Sequence, residues 1–253
     1  MNTVHLGPAL AVLIGLMAVL TAGVVWIGGV GKPGQVLYAT ARAVLQLAAV
    51  AAAVGLVLRS LILTCVFLAA MVVIASGTAA RRITGTLRPR AWWVAVPIMA
   101  GAGPTMGLTL ASTVVPLEPI ALLPTLSILI GNAMIATSLA GRRVVDELRT
   151  RWGEFEAALS IGLERRDAAN MIAKPAAALG LLPGLDQART VGLVTLPGAF
   201  VGVLLAGASP WQAAAAQIVI LIGVLMAQSI AVPATVELIA RGRLPIGAAT
   251  LPQ

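Results

Sequence analysis

Along most of this chain the apolar positions have no period: they run on in blocks, separated by short clusters of Gly, Pro and Arg. The blocks cover residues 6–30, 36–58, 61–80, 92–115, 117–140, 191–206 and 213–238. A helix that is apolar on every side belongs in lipid or in a large core. About 20 such residues cross a hydrocarbon layer of roughly 30 Å. The pattern therefore predicts an all-α integral membrane protein of about seven transmembrane helices. Pro97, Gly101, Pro104, Pro124 and Pro197 lie inside blocks. They would break soluble helices but are tolerated where neighbouring spans re-satisfy the freed backbone groups. The glycine pairs 103/107 and 198/202 have the spacing that lets membrane helices approach closely.

One interval behaves differently. Between residues 142 and 189, Val144, Leu148, Trp152, Phe155 and Leu159 recur at steps of four, four, three and four. That is the stripe of an amphipathic helix continuing from the fifth block, and Gly162 is a suitable stop. The interval holds seven of the nine acidic residues and eight of the basic ones. The chain thus reads as three segments: 1–141 with spans one to five, 142–189 polar and helical, and 190–253 with spans six and seven and a short tail.

Charge fixes the expected orientation. Lys32, the group Arg81, Arg82, Arg88 and Arg90, the interval 142–189, and Arg241 with Arg243 mark alternate connections, whereas those between carry only Arg59. The positive-inside rule puts the N-terminus outside and the C-terminus and residues 142–189 in the cytoplasm, with an odd number of spans, at the cell (plasma) membrane. No Lys or Arg precedes the first block, and its 25 residues exceed a signal-peptide core, so it reads as a span.

Composition narrows the chemistry. The chain is 59% hydrophobic and 10% charged with a net charge of +8. Its basic residues lie between apolar blocks and form no aromatic-interleaved patch, so nucleic acid is not the expected partner. Cys65 is the only cysteine and allows no intrachain disulfide. His5 is the only histidine, and no Ser/His/acid set can be assembled. The run from Gly29 to Gly34 looks phosphate-binding at a glance, but Trp26 stands where the first glycine is required and Pro33 replaces the hydroxyl residue. It is not a P-loop, so no enzyme activity and no cofactor are expected in this chain.

Polar residues inside spans are the candidates for a translocation path. A charge near mid-bilayer costs about 2.5–3.5 kcal/mol on insertion scales, so it tends to face a bundle interior. Arg42 lies near the cytoplasmic end of the second span, with Gln46 one turn deeper on the same face. Asn132, Thr195 and Gln217 complete the set, with Gln228 a further polar position. The alternative for each is structural: Arg42 snorkelling to headgroups, the others bonding across helices as glue. Glu118 and Glu237, at the span edges, are either contacts for a cation in transit or simply solvated. The residues define no metal ligand set, and Met99, Met106 and Met134 are packing residues before they are ligands.

In the polar interval, Glu156-Ala157-Ala158 is followed after three residues by Gly162, after nine more by Ile172, and then by Pro175. This spacing resembles the EAA loop of ABC-transporter permeases, although Lys174 stands where that pattern has Leu. Longer stretches carry a closer likeness: residues 41–47, Gly131-Asn132-Ala133-Met134, residues 182–198, and Ala206 to Pro210 with Gln217-Ile218. They resemble the FetB-type permeases, iron-export ABC permeases related to the plant aluminium-tolerance membrane proteins. The chain departs from that family at Leu163-Glu164-Arg165 and at Ala216. The resemblance implies a permease subunit that exports iron or a related metal ion. Residues 142–189 would be its coupling segment, docking through Glu156, Ala157, Ala158, Gly162, Ile172 and Pro175 on a separate ATP-binding subunit that holds ATP and Mg. A second copy would complete the path. Two other classes stand beside it: an ion-coupled secondary transporter, which usually needs a mid-membrane carboxylate that these spans lack, and a non-transporting scaffold that recruits a cytosolic protein through 142–189. The orientation is checked by cysteine labelling in intact cells: Ser209→Cys should react from outside and Thr150→Cys only after permeabilisation, and the reverse pattern would overturn it.

Overall fold

The computed structural model describes residues 7–244. The chain forms two compact units, Met1–Arg59 and Ser60–Gln253. The first holds α1 (Pro8–Ile27) and α2 (Pro33–Val57), a helical hairpin whose two helices bury only Ala22 and Val57. The second holds α3 (Leu61–Thr84), a 3₁₀ turn at Pro89–Val94, α4 (Ala95–Ala111), α5 (Pro119–Thr150), α6 (Trp152–Ser160), α7 (Arg165–Ala177), a 3₁₀ turn at Ala178–Leu181, α8 (Leu182–Thr190), α9 (Gly198–Leu205) and α10 (Pro210–Ala240). Four of the long helices open with a proline in the first turn, at Pro8, Pro33, Pro119 and Pro210, where the missing N–H would have had no helical partner. At Ser209 the hydroxyl accepts from the Gln212 backbone N–H while the Gln212 side chain accepts from the Ser209 N–H, a reciprocal cap.

Among the described residues, six helices are long and apolar enough to cross a membrane: Pro8–Ile27, Pro33–Val57, Leu61–Thr84, Pro89–Ala111, Pro119–Thr150 and Pro210–Ala240. The protein is an all-α, multi-pass membrane protein. The expected span at 191–206 is not a continuous helix: residues 191–197 form a turn, and α9 that follows has eight residues, or about 12 Å at 1.5 Å each. Hydropathy registers the apolar side chains there. It does not register Gly192, with φ 81°, and Pro197, which interrupt the helical backbone.

At the centre of the second unit, α5 and α10 lie side by side, with α3 packed on α5 and α4 on both. The buried faces carry small residues: Ala133, Ala136 and Ala140 of α5 and Ala227 and Ala231 of α10 are 0% exposed, with Ala227 and Ala231 against Gly101 of α4 and Ala136 and Ala140 against Gly180. A Cβ placed on Gly101 of α4 would lie 2.3 Å from the Ala227 carbonyl oxygen, and one on Gly141 of α5 would lie 2.5 Å from Ile83 Cδ1. The close approaches the 103/107 and 198/202 spacings suggest do not occur there, since Gly103, Gly107, Gly198 and Gly202 meet nothing within 4 Å. In-span polar groups mostly bond to their own helix: Thr105 donates to the Gly101 carbonyl at 2.8 Å and Thr235 to the Ala231 carbonyl at 2.7 Å.

α5 and α10 run parallel. Near their N-terminal ends Ile120 and Pro124 share a cavity with Gln212 and Ala216, and near their C-terminal ends Leu148 shares another with Ile239 and Ala240. The connection from the end of α5 to the start of α10 therefore climbs back along the whole pair. α7 begins beside the end of α10, Gly180 packs on Ala140 and Val232, Gly184 on Gln228 and Leu225, and α9 reaches the level of Ala215 and Val219. The segment edges expected at 141/142 and 189/190 fall inside one unit for this reason. Replacing Gly101 by Ala should push α4 off α10, at a cost of about 1–3 kcal/mol for overpacking. Thermal unfolding in detergent should show a clearly lower midpoint for Gly101→Ala, whereas Gly103→Ala, in open space, should be neutral.

Candidate functional site

The polar end of the α5–α10 pair carries the one elaborate array of charges. The amphipathic stripe is present as two helices: the backbone leaves the helix at Arg151 (φ −107°, ψ 33°) and resumes in α6. Arg151 holds this corner. Its Nε donates to Glu154 Oε1 at 2.8 Å, a second guanidinium nitrogen pairs with Glu154 Oε2, and Glu147 stands 3.5 Å away. The hydrogen bond from Arg151 holds the Glu154 carboxyl below the usual carboxylate range. Val144, Leu148 and Phe155 are buried as the stripe requires, Trp152 is half-buried, and Leu159 is exposed.

Gly162 ends α6 with φ 91°, the left-handed geometry that glycine takes without a Cβ penalty. Around it the Leu163 N–H donates to the Ala158 carbonyl at 3.1 Å and the Gly162 N–H to the Leu159 carbonyl at 3.0 Å, the paired bonds of a Schellman stop. The turn sets α6 and α7 into a hairpin whose tip is apolar and bare, with Ile161 79% exposed. Glu156, Ala157 and Gly162 are exposed near this tip, and the Glu156 carboxylate accepts from Trp152 Nε1 at 2.8 Å. Ala158 and Ile172 are buried, and Pro175 lies exposed inside α7. Glu156, Ala157 and Gly162 are thus available at one end, while Ile172 anchors α7 in the body of the unit.

The hairpin is tied to the last helix by an ionic contact. Arg166 Nε, in the first turn of α7, donates to Glu237 Oε1 at 2.6 Å, and Arg241 Nε donates to the same oxygen at 2.6 Å. The Glu237 carboxylate holds the Arg166 guanidinium above its ordinary range. Glu237, expected to meet a cation or water, has its charge matched by two arginines. The Arg241 half is a local pair four residues along the same helix, whereas no local signal announces Arg166, 71 residues away along the chain. Arg165 stacks over the Phe155 ring at 5.9 Å, which adds a second tie between α6 and α7.

The path candidates are divided between the two units. Arg42 and Gln46 are exposed on α2 in the first unit. In the second unit, Asn132 donates to the Ile128 carbonyl of its own helix at 2.9 Å, Gln217 is buried in the N-terminal third of α10, and Thr195 is exposed on the turn after α8. Gln217 Oε1 and both amide atoms of Gln228 have no partner among the described residues, and the Gln228 amide is pressed against Gly184. No group of three His, Cys, Asp or Glu residues able to hold a metal occurs among the described residues; His5 lies outside them.

Comparison with known proteins places these features in a family. Residues 8–243 match the uncharacterised protein family UPF0014. The chain is 34% identical over 193 residues to the UPF0014 membrane protein STAR2 of Oryza sativa, covering 76% of this chain and 67% of the relative. It is 31% identical over 220 residues to the protein ALUMINUM SENSITIVE 3 of Arabidopsis thaliana, covering 85% and 78%. A shorter match, 32% over 129 residues and 49% of this chain against 48% of the relative, is to the "Probable iron export permease protein FetB" of Escherichia coli. No solved structure matches the chain.

The ionic tie makes a structural prediction of its own. Arg166→Gln or Glu237→Gln should raise amide hydrogen exchange in the first turns of α7 several-fold while leaving the buried core of α4 unchanged, because only the tie between α7 and α10 is cut. The exchanged pair Arg166→Glu with Glu237→Arg should recover part of the protection. Equal exchange in all variants would show that apolar packing alone holds α7.

Proposed function

Since the chain belongs to the UPF0014 family, we propose that it is the permease subunit of an ABC transporter that exports iron or a related metal ion. The observation that carries this is the α6–α7 hairpin: a Glu156-Ala157-Ala158 helix stopped by Gly162 in a left-handed turn, with an exposed apolar tip. A compact, rigid protrusion of this kind is what a moving partner can grip. The partner is a separate ATP-binding subunit that carries ATP and Mg, and this chain serves as the membrane subunit without hydrolysing ATP. The name of the bacterial relative, iron export permease, supplies the cargo and the direction.

The remaining assignments follow from the same reading. The segment 142–189 couples the membrane helices to the ATPase, with Glu156, Ala157, Ala158 and Gly162 on the docking helix and turn and Ile172 and Pro175 in the helix that carries the motion inward. Residues 1–141 and 190–253 supply the membrane helices. A second copy of the chain completes the path, to which Arg42, Gln46, Asn132, Thr195 and Gln217 contribute. The protein lies in the plasma membrane with the N-terminus outside and the C-terminus cytoplasmic, as the alternation of basic connections requires. The Arg166–Glu237 tie puts α10 in direct mechanical contact with the hairpin.

Co-purification with the ATP-binding subunit, followed by metal-stimulated ATP hydrolysis in liposomes, tests the reading. Gly162→Val should disturb the helix stop, because valine does not take the left-handed geometry, and Glu156→Lys should reverse the charge beside the tip. Both lie outside the apolar spans, so insertion and yield should be kept, while recovery of the ATPase or the linkage of hydrolysis to transport should fall at least about tenfold, an interface loss of about 1.4 kcal/mol or more. Stable variants that retain their ATPase and transport at the parent rate would remove the docking assignment.

A further inference from the structure

The return from α8 to α9 leaves backbone polar groups without partners at a depth where lipid offers none. In the turn 191–197, the Thr190 carbonyl accepts from the N–H groups of Leu193, Val194 and Thr195, and the Thr195 carbonyl from Gly192. The carbonyls of Val191, Gly192, Leu193, Val194 and Leu196 accept nothing from any described residue. Gly184, before the turn, packs on Gln228 and Leu225 of α10, and Ala199, after it, lines a cavity with Val219. The turn therefore lies beside the middle of a helix that runs from Pro210 to Ala240. Non-helical backbone at that depth persists only where protein buries it or where it lines a water-filled cavity.

The second unit does not bury it. Leu193 is 88% exposed, Thr195 is exposed, and the Asp186 and Arg189 side chains on α8 are 64% and 70% exposed. The Asp186–Arg189 ion pair, at 3.4 Å and exposed, and five open carbonyls on one short stretch suit water better than an apolar partner surface. Immediately beyond the turn, a cavity of about 560 Å³ between α5, α9 and α10 extends toward the start of α10, lined by apolar residues apart from Thr125 and Gln212, and so offers the turn no polar surface of its own.

Resting on the permease reading, we propose that the turn 191–197 is a wall of the translocation path and that its carbonyl oxygens receive a partly hydrated divalent cation. Carbonyl oxygens are suitable ligands for a cation that must also be released, and interrupted membrane helices supply them in other carriers. Leu193, Val194 and Leu196, which carry exposed apolar side chains on the same turn, would close the path by excluding water.

The test is thiol accessibility in membranes that contain the whole transporter, in a Cys65→Ala background. Thr195→Cys and Leu193→Cys should react with a water-soluble cationic methanethiosulfonate at least about tenfold faster than Ile74→Cys, an exposed apolar position in the middle of α3, and faster than with the anionic reagent, as a cation-lined path demands. Rates no faster than at Ile74 would overturn the proposal. An intermolecular disulfide through Leu193→Cys without aqueous reactivity would also overturn it, assigning the turn to a seam between two copies. ATPase co-purification is read on the same samples. A retained ATPase with an unreactive turn rejects this site alone, whereas loss of any ATPase association from the parent protein rejects the permease reading itself.

Discussion

Two parallel helices in contact cannot be joined by a short connection, and much of this chain is organised by that constraint. α5 and α10 pack against each other in the same direction, so the polypeptide leaving α5 must travel back by the length of the pair before α10 starts. At 32 and 31 residues these helices are each about 45–48 Å long. A hydrocarbon layer of roughly 30 Å is covered by two thirds of that length. The remainder, beyond Gly141, is the charged stretch that carries the Arg151 corner and α6. Of the return, α7 fills the groove at the polar end, Gly180 and Gly184 let the backbone pass close to α5 and α10, and α9 finishes the climb.

A continuous helix would have satisfied every backbone group on the way, but the return is interrupted. The cost of leaving backbone groups open in lipid is several kcal/mol each. Five such carbonyls would exceed the roughly 5–15 kcal/mol that holds a typical fold together. Their environment must therefore be polar or proteinaceous, and this follows from the backbone alone, before any cargo is considered. Several other in-span polar groups are satisfied locally: Thr105, Thr235 and Asn132 return their polar atoms to carbonyls one turn back, and Ser209 caps α10 with a reciprocal pair, whereas Gln217 and Gln228 keep buried amide atoms without a partner among the described residues.

What was legible in the sequence divides along the same line. Spans one to five and the last announce themselves because an unbroken apolar run is both the signal and the structure. The stretch 191–206 is equally apolar yet folds as a turn and a short helix, since hydropathy averages side chains and the interruption comes from Gly192 and Pro197. The stripe from Val144 to Leu159 was readable despite the break at Arg151, because one non-helical residue alters the axis while its neighbours still face the body of the unit. Gly162 was readable as a stop because its role is local. The Arg166–Glu237 contact was not, since it joins elements 71 residues apart, and neither charge differs in sequence from a solvated one. The glycines that mattered for packing, Gly101 and Gly141, belong to neither of the small-residue spacings the sequence offered.

The Gly162 turn and the interrupted return belong to one uninterrupted run of chain. From Gly162 the polypeptide enters α7, passes through the 3₁₀ turn at Ala178–Leu181 into α8, and reaches the turn at 191–197 with no loop between α7 and α8 to absorb displacement. Along that run α7 packs a buried face that includes Ala169, Ile172 and Ala173 on α5 and α10, and Gly180 and Gly184 let the backbone beyond it follow the two helices closely. The fixed point is Arg166 on Glu237, at the polar end. Burial of α7 from Ala168 to Ala177 and the ionic tie hold it to both long helices, so the places where this run can bend are Pro175, which removes a helical hydrogen bond, and the 3₁₀ turn at Ala178–Leu181 that follows it.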